Sequence, residues 1–310
     1  MSTAFVFPGQ GAQTIGMGRD LAQAYPAAQA VFDEVDDALG EELSALIWEG
    51  DIETLTLTEN AQPALMATSI AAMRALEAEG IAVTRASFVA GHSLGEYSAL
   101  CAAGVFSLAD TARLLRIRGR AMQSAVPVGQ GAMAAILGLS AEEVTALAEE
   151  AAQGDVCQLA NENDPTQNVI SGSKAAVERA IEMAKGKGAK RALPLPVSAP
   201  FHCALMQPAA DEMARALADV TLADPSVPLV ANVLAASIST ADPIAQLLVE
   251  QVTGRVRWRS SVEWMVEQGV TEFWEIGAGK ALSGMIRRIH KDAVLRNVGV
   301  AADVTAALEA

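Results

Sequence analysis

Ala86-Ser87-Phe88-Val89-Ala90-Gly91-His92-Ser93-Leu94-Gly95 carries an apolar run directly into the pattern G-x-S-x-G. The small residues that follow, 98–103, read as a helix. A strand that reverses sharply into a helix needs glycine two positions before and two positions after the turn residue. A larger side chain at either place collides with the neighbouring backbone. The turn residue is strained, and its side chain stands at the carboxyl end of the strand. Ser93 is thus a candidate nucleophile, with a helix N-terminus beside it that favours developing negative charge. Five-residue patterns also arise by chance, but here strand and helix are both legible, which favours the nucleophile.

Outward from this turn, strand, loop and helix alternate. A strand at 3–7 enters the glycine-rich loop Pro8-Gly9-Gln10-Gly11-Ala12-Gln13, and helical patterns occupy 18–39, 62–79 and 108–122. This alternation predicts an α/β, hydrolase-like core with a mainly parallel sheet. From about residue 126 the texture changes. A strand at 132–138 precedes a helix at 140–151 that opens with Ser140 and Glu143 in capping-box spacing. Strands at 156–161 and 167–171 flank a turn at Asn163-Asp164-Pro165, and a helix at 173–186 leads to a strand at 192–197. The order β-α-β-β-α-β is that of a ferredoxin-like unit. The expected division is a large catalytic part, 1–125 and 198–310, with a small ferredoxin-like subdomain inserted at 126–197. The large part resumes with helices at 206–217 and 243–252 and strands at 229–233 and 272–276. Gly277-Ala278-Gly279-Lys280 lacks the spacing of a phosphate cradle and reads as a tight strand-to-helix turn.

With 310 residues, 51% of them hydrophobic and 19% charged, the chain can bury a large core. Aromatics at 4% favour packed helices over an all-β sandwich. No apolar run approaches the roughly 18 residues of a spanning helix, and the N-terminus lacks a secretory signal, so a cytoplasmic protein is expected. A net charge of −15 argues against nucleic acid and anionic membranes as partners. Cys101, Cys157 and Cys203 stand far apart, and with three histidines no metal-ligand cluster and no disulfide is expected. Cys203, beside a histidine, reads as a small buried thiol.

A serine hydroxyl needs a base. His92 adjoins Ser93, and neighbouring side chains on such a turn diverge. His290 lies at the basic helix end Arg287-Arg288-Ile289-His290-Lys291, where a solvated histidine complements the dipole. His202, in the rigid loop Pro200-Phe201-His202, remains as the base, with a structural histidine as the alternative. Arg113, Arg116 and Arg120 share one face of the 108–122 helix, while Arg118 falls among Leu114, Leu115, Ala121 and Met122. An arginine on an apolar face must find an anion or reach solvent. A protein salt bridge, a snorkelling side chain and a clamp for a substrate carboxylate all fit.

These segments together resemble the malonyl-CoA:acyl carrier protein transacylases, the stand-alone acyltransferases of bacterial fatty acid synthesis. The resemblance covers nearly the whole chain. It rests on Phe7-Pro8-Gly9-Gln10-Gly11-Ala12-Gln13, Gly91-His92-Ser93-Leu94-Gly95-Glu96, Arg118-Gly119-Arg120-Ala121-Met122-Gln123, Leu195-Pro196-Val197-Ser198 through His202, and Glu275-Ile276-Gly277. It implies Ser93 as nucleophile, His202 as base and Arg118 as the grip on the malonyl carboxylate. The main-chain amides of Gln10 and Leu94 are the implied oxyanion hole. Gln251 is implied to accept from the histidine through an oxygen, and Asn163 to lie on the small-subdomain face of the cleft. The implied substrate is malonyl-CoA and the implied partner acyl carrier protein, with a ping-pong mechanism, no cofactor beyond the CoA thioester itself, and a monomer. Phe201 departs from the serine of many stand-alone members and is similar to malonyl-selective acyltransferase domains of modular polyketide synthases. That similarity implies discrimination against methylmalonyl groups.

Carrier proteins are acidic, so two basic clusters are candidate docking points: Lys185, Lys187, Lys190 and Arg191, and Arg287, Arg288 and Lys291. Scattered solvated charge is the plainer reading of either. A serine thioesterase or esterase shares the elbow but has no need of Arg118. A non-catalytic carrier-binding scaffold has no reason to keep Ser93, His202 and Arg118 together. Stand-alone length favours fatty acid synthesis over a polyketide pathway.

Overall fold

The computed structural model describes residues 2–197 and 199–309. Its strands, in chain order, are β1 (Ser2–Phe7), β2 (Phe88–Gly91), β3 (Gly131–Leu137), β4 (Cys157–Asp164), β5 (Gln167–Ser173), β6 (Arg191–Pro194), β7 (Leu229–Ala231), β8 (Ala236–Ile238), β9 (Val270–Ile276) and β10 (Val294–Val298). One sheet has the order β10-β9-β1-β2-β7-β8 and is parallel apart from the β7–β8 pair. As a central parallel strand, β1 is buried from Thr3 to Phe7 and apolar from Ala4 onward. Phe5, Phe7 and Val89 join one core, while Ala4, Val6, Ala90 and Val230 join another on the opposite face. This is the period-two alternation of a sheet buried on both sides. The helix Thr58–Ala78, buried along most of its length, packs on the first face; Trp258–Glu267 and Ala281–Ile289 cover the second.

The second sheet is antiparallel with the order β4-β5-β3-β6. Ala134, Ile136 and Ile170 from its strands bury a separate core with Val144 and Leu147 of the helix Ala141–Ala152 and Val177 of the helix Lys174–Gly186. Ser140 and Glu143 close the expected capping box reciprocally.

The turn between β4 and β5 lies later than the expected Asn163-Asp164-Pro165. Asn163 and Asp164 are buried strand residues, and the chain turns at Pro165-Thr166. The polar run Asn161-Glu162-Asn163-Asp164 has poor strand propensity, but distant partners hold it extended. The Glu162 amide donates to the Val256 carbonyl at 2.9 Å, and Arg288 donates from Nε to Asp164 Oδ2 at 2.6 Å. The helical pattern at 18–39 is two helices, Arg19–Ala24 and Pro26–Leu39, because Pro26 starts the second at its first position. The helices Leu43–Glu49, Ile52–Thr56, Trp258–Glu267 and Ala301–Leu308 and the strands β8 and β10 lie where no element was expected. No described helix is long and apolar enough to cross a membrane.

Candidate active site

Strand β2 delivers the chain to Ser93, whose φ of 54° and ψ of −111° lie outside the comfortable regions for an L-residue. The helix Leu94–Ala102 begins at the next residue. A Cβ on Gly91 would stand 1.9 Å from the Gly95 carbonyl carbon, and one on Gly95 would stand 2.2 Å from the Phe7 carbonyl oxygen. The glycines of the elbow are therefore a steric requirement. Because β1 pairs with β2 up to Phe7 and Gly91, the Gln10 loop emerges beside the elbow.

Ser93 Oγ lies 2.8 Å from His202 Nε2, and His202 Nδ1 lies 2.8 Å from the Gln251 main-chain oxygen. A carbonyl can only accept, so Nδ1 carries the proton and Nε2 presents its lone pair to the serine hydroxyl. Burial, reinforced by the nearby charge of Arg118, pushes the His202 pKa down to about 3. The imidazole is thus neutral and ready to accept. Gln251 does accept from the histidine, through its main-chain carbonyl and not its side chain. Its side chain has other work: Oε1 accepts from Arg118 Nη2 at 2.8 Å, and Nε2 donates to Glu96 Oε2 at 2.6 Å and to the Ser93 carbonyl at 3.0 Å.

Arg118 is 1% exposed. It donates from Nη1 to Gln62 Oε1 at 2.7 Å and from Nη2 to Ser93 Oγ at 3.1 Å, and its guanidinium carbon lies 5.6 Å from the Tyr97 ring centroid. Its hydrogen-bond acceptors are neutral, and among the described residues no carboxylate forms a salt bridge with it. The salt-bridge and snorkelling alternatives for Arg118 are thereby removed. Arg116, on the helix face it shares with Arg113 and Arg120, is buried, with Asn60 and Glu41 as partners.

Ser93, His202 and Arg118 face one cleft of about 580 Å³, partly open to solvent. Gln10 and Leu94 also line it, and among the described residues neither main-chain amide donates to another group of the chain. Phe201, with Met122, Met133 and Leu195, forms its apolar wall. Asn163 is not in that lining. It accepts from His92 Nε2 at 2.9 Å through Oδ1, and His92 is the residue that reaches the cleft. Ser198 lies outside the described residues.

Three buried residues of the site carried no role in the sequence reading. Asn232 follows β7, accepts from the Ser93 amide at 2.8 Å and donates to the Gly91 carbonyl at 2.7 Å, so it spans both ends of the elbow. Glu96 and Gln62 complete the network around Gln251 and Arg118. The available signals are a polar residue ending an apolar strand, an acid just inside a buried helix, and a lone amide in the run 61–67. Glu275 of the tail motif accepts from the Leu282 and Ser283 amides at 3.0 and 2.7 Å, capping the helix Ala281–Ile289 away from the cleft. All three cysteines are free and buried, and burial raises the Cys203 thiol pKa.

A strained serine, a neutral imidazole and a buried cation around one cleft define an acyl-group-handling site, and residues 4–304 match the family model of the acyl transferase domain. Within that class the chain belongs to the malonyl CoA-acyl carrier protein transacylase family. It is 48% identical over 306 residues to the malonyl CoA-acyl carrier protein transacylase of Escherichia coli (strain K12), covering 99% of this chain and 98% of the relative. The acyl-carrier-protein-S-malonyltransferase of Bartonella henselae superposes with a TM-score of 0.97 at 57% identity, over 100% of this chain and 99% of that one. A malonyl-transacylase solved with a type II polyketide acyl-carrier protein superposes with a TM-score of 0.96 at 45% identity, over 100% and 99%.

Proposed function

We propose that this chain transfers the malonyl group of malonyl-CoA to the phosphopantetheine thiol of acyl carrier protein through a malonyl-serine. Ser93 Oγ gives its proton to His202 Nε2 and attacks the thioester carbonyl. The oxyanion accepts from the Gln10 and Leu94 amides, each worth roughly 3 kcal/mol. CoA leaves as the thiol, taking the proton from His202, and the malonyl ester remains on Ser93. The carrier thiol then gives its proton to His202 and attacks the ester, and Ser93 recovers a proton from Nε2 as the malonyl thioester departs.

The observation that carries this reading is Arg118: a buried cation whose hydrogen-bond acceptors among the described residues are all neutral, bonded to Ser93 Oγ at 3.1 Å. A malonyl carboxylate supplies a directly bonded anion in bidentate geometry. A hydrolase substrate without a free carboxylate gives the guanidinium no anion to bond. Initial rates over a grid of malonyl-CoA and carrier protein test the reading: parallel double-reciprocal lines are expected, and intersecting lines contradict a malonyl-serine intermediate.

In this reading the large part, 1–125 and 198–310, is a hydrolase-like catalytic subdomain and 126–197 a ferredoxin-like one. The separate small core and the antiparallel order β4-β5-β3-β6 support the division. The chain works as a cytoplasmic monomer without metal or cofactor, and its charge of −15 disfavours nucleic acid and anionic membranes. Phe201, 9% exposed on the cleft wall, narrows the space beside the malonyl α-carbon. Likeness to the polyketide malonyl-transacylase supports a second reading for the pathway alone, with a polyketide carrier as acceptor.

A further inference from the structure

The buried polar cluster holds two opposite charges on different elements. Arg118 comes from the helix Leu108–Ser124, and Glu96 from the first turn of the helix that follows Ser93. Each is 1% exposed. Gln251 stands between them: its Oε1 accepts from Arg118 Nη2 at 2.8 Å and its Nε2 donates to Glu96 Oε2 at 2.6 Å. Among the described residues, the other groups facing Glu96 are the Asn232 amide, at 3.4 Å, and Tyr97 on its own helix. Burial and the charge of Arg118 hold His202 neutral. With Glu96 ionised, the cluster is balanced before any ligand arrives. A malonyl carboxylate on Arg118 then leaves a net negative charge in a buried site, which is costly.

We infer that Glu96 is the counter-charge of Arg118 and a specificity-determining positioning residue: it takes one proton from solvent as the malonyl carboxylate pairs with the guanidinium, and stays ionised when a neutral acyl group occupies the cleft. The inference rests on the malonyl reading of the site. Burial already pushes the Glu96 pKa up to about 7, against the opposing hydrogen bonds and the charge of Arg118. Ligation of Arg118 by another anion raises it further. Malonyl binding is therefore linked to proton uptake, and the preference for malonyl over acetyl thioesters falls as pH rises above neutrality, by up to about tenfold per pH unit.

Titration calorimetry of Ser93→Ala with malonyl-CoA and acetyl-CoA, in buffers of different ionisation enthalpy at pH 8, tests this. Uptake of roughly half a proton or more is expected with malonyl-CoA. None is expected with acetyl-CoA, and none with malonyl-CoA after Glu96→Gln is added. On the unaltered chain, the malonyl-to-acetyl ratio of acylation rates should fall between pH 6.5 and 8.5. Malonyl-CoA binding without proton uptake, uptake that survives Glu96→Gln, or a flat ratio overturns the role of Glu96 and leaves the malonyl reading standing. Failure of malonyl-CoA to bind at all overturns both.

Discussion

Arg118 Nη2 donates to Ser93 Oγ at 3.1 Å, so the cation and the hydroxyl that share this cleft are in direct contact. Sequence alone puts Arg118 on an apolar helix face. The fold brings that face to the end of β2, where Gln62 and Gln251 supply the remaining acceptors.

Arg118→Ala should lower kcat/KM for acylation by malonyl-CoA by about 10²- to 10³-fold, the loss expected for one partner of a buried ion pair. Acetyl-CoA should lose far less. Rapid-quench acylation with both thioesters measures this. Equal losses would assign the arginine a structural role only.

In the proposed mechanism His202 must be neutral to accept the serine proton. Its folded-state pKa is depressed to about 3 from an ordinary 6.5, so the acid limb of kcat/KM should fall well below 6.5. The unfolded chain, by contrast, protonates this histidine near 6.5. The contribution of neutral His202 to stability is therefore complete above pH 6.5 and lost progressively as pH falls towards 3. A pH–rate profile alongside circular dichroism separates the two effects. An acid limb at 6.5 in fully folded protein contradicts the account.

Asn232→Ala leaves the Ser93 amide and the Gly91 carbonyl without their partner, at a cost of about 1–3 kcal/mol each. Stability by denaturant titration should fall by that order. The acylation rate constant should fall more than affinity for malonyl-CoA, because the bond fixes the strained serine and touches no substrate. A stability loss with an unchanged rate would mean that the elbow holds its geometry unaided.

Much of this site is legible in the sequence because its parts are local. The glycines of the elbow, the capping box of the small sheet's first helix and the apolar β1 strand each declare themselves within a few residues. His202 follows from elimination among three histidines. What the sequence conceals depends on partners far along the chain. Asn163 and Asp164 look like a turn until His92 and Arg288 hold them. Arg116 shares a helix face with Arg113 and Arg120, and nothing near it in sequence announces that Glu41 and Asn60 cover it. Glu96, Asn232 and Gln251 converge from three separate elements, and only the closed fold reveals them as one network.

Phe201→Ser should raise kcat/KM for methylmalonyl-CoA relative to malonyl-CoA, by roughly 10-fold for a methyl-sized space. Competition between the two thioesters measures the ratio directly. An unchanged ratio would place the selective contact elsewhere on the cleft wall.

The basic clusters differ in how free their charges are. Lys185 and Lys187 pair with Glu182 and Glu150, and Arg288 pairs with Asp164. Lys190, Arg191, Arg287 and Lys291 form no salt bridge among the described residues. Charge reversal at Arg191 or at Arg287 should raise KM for the carrier protein and leave that for malonyl-CoA unchanged. No change at either position removes both clusters as docking points.

The most direct test of the central claim is peptide mapping by mass spectrometry after brief exposure to malonyl-CoA, followed by addition of carrier protein bearing its phosphopantetheine arm. The account predicts a malonyl ester on the peptide containing Ser93, discharged to the carrier thiol much faster than to water, and absent from Ser93→Ala. A malonyl adduct that persists in Ser93→Ala, or an ester discharged to water as readily as to the thiol, would contradict it.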